Sequence, residues 1–176
     1  YDGQDDDIVV EIDPGMAFGT GNHETTLMCI KLLERYIKKG YEVYDVGCGS
    51  GILGITAAKL GAHSVLCVDL DGVACKVAAE NVSVNKEDDK IKVKNCNLLD
   101  AASAKADLIV ANIIADIIMD FTPQALLFLK PGRVFISSGI ILDRQDEVIK
   151  ELKKYGFDIL EIEQMGEWCA IAAKRD

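Results

Sequence analysis

Three alternating glycines, Gly47, Gly49 and Gly51, follow directly on a short apolar segment, Val43–Val46. Glycine has no Cβ, so it can adopt positive φ and lets a bound group approach the backbone closely. The next segment, Ile52–Leu60, is apolar and rich in alanine, which favours a helix whose first turn carries unpaired N–H groups. Strand, glycine turn and helix together predict a ligand site at this turn.

Two aspartates indicate that the ligand of the turn is a nucleoside-type cofactor. Asp45 lies two residues before the first glycine, and Asp69 ends the next predicted strand, Ser64–Val68, twenty positions after Gly49. A carboxylate at this place in a βαβ unit can accept hydrogen bonds from both ribose hydroxyls. The alternatives are a tight turn without a ligand, and a helix cap, the role that we assign to Asp71.

An asparagine follows the next buried strand, which we predict over Ala106–Ala111. Open α/β sheets bind ligands at the carboxyl ends of their strands, so Asn112 should face the same crevice as Asp69. Alternatively, Asn112 caps a helix over Ile113–Asp120.

A loop rich in glycine and hydroxyl side chains precedes the first predicted helix. Residues 16–26 read Met-Ala-Phe-Gly-Thr-Gly-Asn-His-Glu-Thr-Thr, and a helical pattern runs from Leu27 to Ile37. We expect Asn22 to cap this helix and consider His23 as a candidate general base. Alternatively, the loop only caps the helix, and His23 is an ordinary, partly exposed histidine.

Strands that alternate with helices predict one α/β domain with a mainly parallel sheet, covered on both faces. Further strands are expected over Ile8–Ile12, Ile91–Lys94 and Val134–Ser137, and an amphipathic helix over Leu142–Tyr155. Pro123 should restart a helix that reaches Leu129, and Lys130–Gly132 should form a turn. The segments Asp158–Glu163 and Trp168–Ala173 should pair as an antiparallel hairpin at one edge.

Composition limits the possible partners. The 176 residues carry a net charge of -10 and no cluster of Lys and Arg, which argues against a nucleic-acid surface. The six cysteines form no Cys-x-x-Cys pair, so we predict no metal site and expect buried, reduced thiols in the cytoplasm. No apolar run reaches the roughly 18 residues that a membrane span needs, so we expect no membrane partner.

The chain resembles the bacterial ribosomal protein L11 methyltransferases, which are class I methyltransferases that use S-adenosylmethionine. The runs that carry the resemblance are Asp13–Thr26, Asp45–Leu53, Val68–Asp71, Ala111–Ile113, Ser138–Leu142 and Glu167–Cys169. The glycine motif alone specifies only the superfamily, whereas the Phe-Gly-Thr-Gly loop with His23 and two threonines narrows it to this family. Gly72 departs from the family, which commonly has proline there.

The resemblance implies a Rossmann-like, seven-stranded α/β sheet whose last strand is antiparallel. It implies an N-methyltransferase for lysine side chains or the N-terminal amine of ribosomal protein L11. The positions implied to bind S-adenosylmethionine are Thr26, Gly47, Gly49, Asp69 and Asn112, with Leu70 against the adenine and Asn97 near its amino group. Asn112 would also aim the acceptor amine, as the catalytic residue.

The family also has an N-terminal domain that grips the ribosomal protein, and nothing in this sequence corresponds to it. We therefore expect residues 1–176 to form a single catalytic domain, with residues 1–7 as a linker, and we expect a monomer.

Three other functions were considered. The run Gly49-Ser50-Gly51-Ile52-Leu53-Gly54 matches the Gly-x-Gly-x-x-Gly of nicotinamide dehydrogenases, but Gly47 already occupies the place of the first glycine after the strand. An adenine or glutamine methyltransferase would show Asn-Pro-Pro-Tyr where this chain has Asn-Ile-Ile-Ala from Asn112. A scaffold that binds the cofactor without catalysis would not need Asn112 and Thr26.

Overall fold

The computed structural model describes residues 7–13, 15 and 21–176. The strands are β1 (Glu42–Val46), β2 (Ser64–Asp69), β3 (Ile91–Asn95), β4 (Ala106–Asn112), β5 (Leu129–Ile141), β6 (Phe157–Met165) and β7 (Trp168–Arg175). The helices are α1 (Glu24–Tyr36), α2 (Ile52–Lys59), α3 (Gly72–Val84), α4 (Ala115–Phe128) and α5 (Gln145–Lys154), with a 3-10 turn over Leu142–Arg144. The predicted alternation of strands and helices is confirmed.

The strands form one seven-stranded sheet in the order β3-β2-β1-β4-β5-β7-β6. Neighbours from β3 to β5 are parallel, whereas β7 runs antiparallel to both β5 and β6. This confirms the predicted sheet and its C-terminal hairpin. The order reverses between β1 and β4, and such switch points are where open α/β sheets bind ligands.

Alternate residues of the central strands face two separate apolar cores. Leu108 and Val110 of β4 pack with helices α1 to α3, whereas Ile109 and Ala111 pack with α4 and α5. Because side chains alternate with a period of two, helices on both faces bury every apolar position of such a strand. The central strand β4 therefore has both faces buried, and a ligand can reach it at its ends.

The N-terminal predictions need two corrections. Ile8–Ile12 forms no strand, because its backbone lies beside helix α3 rather than a strand: Glu11 pairs with the side-chain amide of Asn85, the C-cap of α3, and the next paired residue, Asp13, bonds Asn81. The cap of α1 is His23 instead of Asn22, since the His23 ring accepts a hydrogen bond from the Thr25 N–H. Residues 1–6 of the predicted linker over 1–7, and loop residues 16–20, lie outside the described residues.

Two predictions between β4 and β5 were also wrong. Helix α4 runs through Pro123 instead of restarting there, because Ile118, Phe121 and Ala125 on both sides of the proline pack into one core. The turn expected at Lys130–Gly132 is an irregularity inside β5: Ala106 pairs with Leu129 but Leu108 pairs with Val134, and the extra residues bulge out.

Among residues 7–13, 15 and 21–176, no helix is long and apolar enough to cross a membrane. The same residues contain no group of three or more His, Cys, Asp or Glu side chains that could hold a metal ion.

Candidate active site

A cavity of about 350 Å³ opens at the carboxyl ends of β1, β2 and β4. This volume lies within the roughly 300–1,000 Å³ usual for small-molecule sites. All residues that the resemblance assigns to the cofactor line the cavity: Thr26, Gly47, Gly49, Asp69, Leu70, Asn97 and Asn112. The fold thus brings together residues from five separate parts of the sequence.

Gly47 must be glycine for two reasons. Its φ is +71°, a conformation that other residues rarely adopt, and a Cβ there would lie 2.4 Å from Cγ2 of Ile113. The sequence argument placed the cofactor where this Cβ would point, but Ile113, itself a wall of the cavity, already fills that space. A side chain at position 47 would therefore act on the cavity through Ile113.

The N–H groups of the glycine turn are mostly paired within the protein. Gly47 and Cys48 donate to the Val68 carbonyl at 2.8 and 3.0 Å, and Gly49 donates to Asp69 Oδ2 at 2.9 Å. Free donors were expected in the first turn of the following helix, where the Gly54 N–H is also paired, with Asp45 Oδ2. A pyrophosphate needs such donors, so the turn is poorly suited to a dinucleotide.

Both oxygens of the Asp69 carboxylate are fixed by backbone donors. Oδ2 accepts from Gly49, and Oδ1 accepts from the Asp71 N–H at 2.9 Å. A carboxylate has about four acceptor positions, so each oxygen can still accept from a ligand hydroxyl. Asp71 is the N-cap of α3, as predicted, because its Oδ1 accepts from the Val73 N–H at 2.8 Å.

Apolar side chains form the cavity wall beyond Asp69. Leu70 lies at the cavity mouth and is 74% exposed, and Ile117 is 41% exposed. Leu98 completes the wall with φ +47°, an uncommon conformation for a branched residue. Together with the amide of Asn97, this wall suits a flat, apolar ring that carries polar edges.

Asp45 is buried directly beneath the glycine turn. Its Oδ2 accepts a hydrogen bond from the Gly54 N–H at 2.9 Å. Burial raises the pKa of the Asp45 carboxyl to about 7; the Gly54 hydrogen bond lowers it and the nearby Asp69 charge raises it. The carboxyl thus changes charge near neutral pH, at the base of the cavity.

A second cavity of about 430 Å³ adjoins the first. Its walls are His23, Thr25, Asn112, Ile113, Ile114, Gly139 and Trp168. Asn112 and Ile113 line both cavities, so they form the boundary between them. The adjacent threonines Thr25 and Thr26 are divided between the two cavities, because α1 begins at their shared rim.

Hydrogen bonds fix the orientation of the Asn112 amide. His23 Nδ1 accepts from the Thr25 N–H at 3.2 Å, so it carries no proton and also accepts from the Thr25 hydroxyl at 2.8 Å. The Thr25 oxygen therefore accepts from Asn112, whose Nδ2 lies 3.1 Å away. This arrangement leaves Oδ1 as the acceptor of Asn112, and it excludes the alternative that Asn112 caps α4, whose N-cap is Ile114.

Sequence reasoning assigned no separate role to Thr25, Ile113 or Trp168. Trp168 packs edge-on against His23, with ring centroids 5.2 Å apart, although 145 positions separate the two residues in the chain. Such contacts depend on the antiparallel placement of β7, which local patterns do not fix. The available signal was the Glu-Trp-Cys run, noted only as part of the resemblance.

The strand order and the cavity at its switch point are those of class I methyltransferases. A solved 16S rRNA N2 G1207 methyltransferase from T. thermophilus, in complex with AdoMet and guanosine, shares this fold. Its TM-score is 0.74 at 23% identity, over 91% of this chain and 45% of that one.

The sequence profile of the ribosomal protein L11 methyltransferase (PrmA) family matches residues 1–176, and the chain belongs to this family. A ribosomal protein L11 methyltransferase of Alkaliphilus oremlandii is 52% identical over 99% of this chain and 56% of its own length. The crystal structure of a ribosomal protein L11 methylase from Lactobacillus delbrueckii subsp. bulgaricus has a TM-score of 0.91 at 38% identity, covering 99% of this chain and 91% of that one. The chain spans about half the length of the curated relatives that it matches.

The buried Asp45 should make stability fall as pH rises. Its folded pKa of about 7 exceeds the unfolded value, so the folded state binds the extra proton between these values and stability is lost as pH rises through about 7. Asp45→Asn removes this titration while its oxygen can still accept from Gly54. We expect the free energy of unfolding of Asp45→Asn, measured in urea relative to wild type, to rise by about 2 to 4 kcal/mol from roughly pH 4 to pH 8.

The exposed Asp89 provides the control for this measurement. Asp89→Asn makes the same carboxyl-to-amide change outside the core, and its pH profile is compared with that of Asp45→Asn. Parallel pH profiles for wild type and Asp45→Asn would contradict the role of Asp45.

Proposed function

We propose that the chain is the catalytic domain of an S-adenosylmethionine-dependent methyltransferase that acts on amines of ribosomal protein L11. The observation that carries this proposal is the position of Asn112, which borders both cavities and keeps its amide oxygen as an acceptor. Membership of the family supports the substrate. The expectations of a monomer, of no direct nucleic-acid binding and of action in the cytoplasm remain predictions.

The residues that line the first cavity support binding of the cofactor there. Asp69 would hold the ribose hydroxyls with its remaining acceptor positions, and Leu70 with Asn97 would contact the base. Thr26 and the Gly47–Gly49 turn would border the amino-acid end. When bound, S-adenosylmethionine supplies a methyl group activated by its sulfonium charge.

The second cavity would hold the acceptor amine. Ile113, Ile114 and Trp168 give it apolar walls, which suit the methylene stem of a lysine. Asn112 Oδ1 accepts from an amine N–H, and a neutral amide holds a cation less strongly than a carboxylate would. The amine must be uncharged to react, and Asn112 stabilises the protonated, unreactive amine less than a carboxylate would.

Proton transfer does not involve His23 Nδ1, because that atom already accepts from Thr25. Nε2 is the His23 atom that stays a candidate base, and we propose that the acceptor amine loses its proton to water before transfer. The contribution of the protein is placement, and holding two reactants in line can supply roughly 7 to 11 kcal/mol of the barrier.

Mass spectrometry of ribosomal protein L11 tests the proposed activity. Incubation with this chain and S-adenosylmethionine should add methyl groups to amines, with the full-length Alkaliphilus oremlandii relative as positive control. Asn112→Ala, in either protein, should lower kcat and kcat/KM together, because the Asn112 contact strengthens in the transition state. Unmodified substrate, while the relative methylates it at equal concentration, would contradict the proposal.

Asp69 and its neighbour Asp71 give a matched pair for the cofactor. Asp69→Ala should weaken binding of S-adenosylmethionine by about 1.5 to 3 kcal/mol, the scale of hydrogen bonds to a charged group. Asp71→Ala removes only the cap of α3, so it should lower stability by about 1 kcal/mol and leave affinity unchanged. Equal calorimetric affinities for the two variants would remove Asp69 from the site.

Thr25 should affect turnover through Asn112. Thr25→Val deletes the hydroxyl that accepts from Asn112 and donates to His23, so the amide can rotate. We expect kcat to fall about tenfold, the equivalent of one hydrogen bond, at unchanged cofactor affinity. Thr25→Ser keeps the hydroxyl and should retain most of the activity; an equally inactive serine variant would mean that only the methyl group of Thr25 matters.

A further inference from the structure

Asn81 of helix α3 and Asn85, the C-cap of that helix, hold the backbone of the segment over residues 7–13. Asn85 accepts from the Glu11 N–H at 3.0 Å and donates to the Glu11 carbonyl at 2.7 Å. One turn earlier, Asn81 accepts from the Asp13 N–H at 3.0 Å and donates to the Asp13 carbonyl at 2.9 Å. Each amide thus pairs with both polar groups of one residue, as a neighbouring strand would.

The spacing of the two pairs explains why they fit. Four residues along a helix advance about 6 Å, and two residues of an extended chain advance about 6.6 Å. Asn81 and Asn85 are four apart, and Glu11 and Asp13 are two apart. The helix therefore matches the repeat of the extended segment without a strand.

Asn81 makes one more contact, and Asn85 does not share it. The Nδ2 of Asn81 also donates to the Ser50 carbonyl at 2.9 Å, inside the glycine turn that lines the first cavity. Helix α3 lies close against this turn, since a Cβ on Gly51 would lie 3.2 Å from Cβ of Ala78. Asn81 is thus a direct bridge between the segment over 7–13 and the cofactor turn.

The burial of Asn81 makes this bridge sensitive to both partners. The residue is 2% exposed and lies inside a helix, where asparagine has a low propensity. If either the segment or the turn moved away, a buried amide group would lose its partner, which costs about 1 to 3 kcal/mol. Each partner therefore stabilises the bound position of the other.

We propose that Asn81 is a positioning residue that couples the segment over 7–13 to the glycine turn, so that cofactor binding tightens the docking of this segment. By reciprocity, docking of the segment raises cofactor affinity by the same factor. The inference rests on the proposed function, because it takes the first cavity as the cofactor site.

Hydrogen exchange of individual backbone amides tests the coupling, with S-adenosylhomocysteine as the probe. In the wild-type chain the probe should slow exchange of the Asp13 amide. Asn81→Ala should abolish this slowing and weaken calorimetric binding of the probe about fivefold or more. The matched Asn85→Ala should speed exchange at Glu11, yet keep both the slowing at Asp13 and the affinity.

Amide hydrogen exchange measured without the probe distinguishes a failure of this inference from a failure of the proposed function. Asn81→Ala should speed exchange both at Asp13 and at Gly51 in the turn, whereas Asn85→Ala should leave Gly51 unchanged. Failure of the wild type to bind the probe would overturn the proposed function, while the Gly51 amide would still decide whether Asn81 links the two parts. Wild-type affinity and wild-type exchange at Gly51 in Asn81→Ala, with circular dichroism showing a folded chain, would overturn the coupling.

Discussion

The hydrogen bond from Gly49 N–H to Asp69 joins the ends of two neighbouring strands, and the candidate site depends on it. Together with the Val68 carbonyl, which accepts from Gly47 and Cys48, it folds the glycine turn back onto β2. The turn is thus held by the same strand end that carries the ribose-binding candidate. This constraint fixes the shape of the cavity before any ligand arrives, and preorganised sites lose less free energy on binding.

In the proposed function, chemistry and specificity are divided between the two cavities. The first has the polar and apolar groups that a nucleoside needs, and the second has the apolar walls and the Asn112 acceptor that suit an amine. RNA methyltransferases share the fold, so the sheet alone does not identify the substrate. The net charge of -10 disfavours a phosphate backbone, and membership of the family favours a ribosomal protein.

Much of the fold was predictable, because the two signals that indicate it, apolar runs and glycine turns, are local in the sequence. Buried strands appeared as apolar runs, and glycine turns marked their ends, so β1, β2 and β4 were predicted to within a residue or two. The failures have a common cause in tertiary contacts. Packing of Phe121 and Ala125 overrode Pro123, and side-chain amides from α3 replaced the strand partner expected for Ile8–Ile12.

The site followed the same division. Asp69, Gly49 and Asn112 were expected at one crevice because strand ends converge in any open sheet, and all three line the first cavity. The Asn112 orientation, by contrast, depends on Thr25 and His23 at the start of a distant helix, and the bridge by Asn81 depends on two loops. An asparagine inside the Ala-rich helix α3 was a visible anomaly of propensity, but its partners could not be read from spacing.

Amide chemical shifts during titration with S-adenosylhomocysteine test the central claim most directly, namely that the cavity at the strand ends binds the cofactor. The account predicts that the largest changes fall on Gly47, Gly49, Asp69, Leu70 and Asn112, and that NAD at the same concentration leaves these amides unchanged. Changes that lie elsewhere in the chain, or equal changes with NAD, would contradict it.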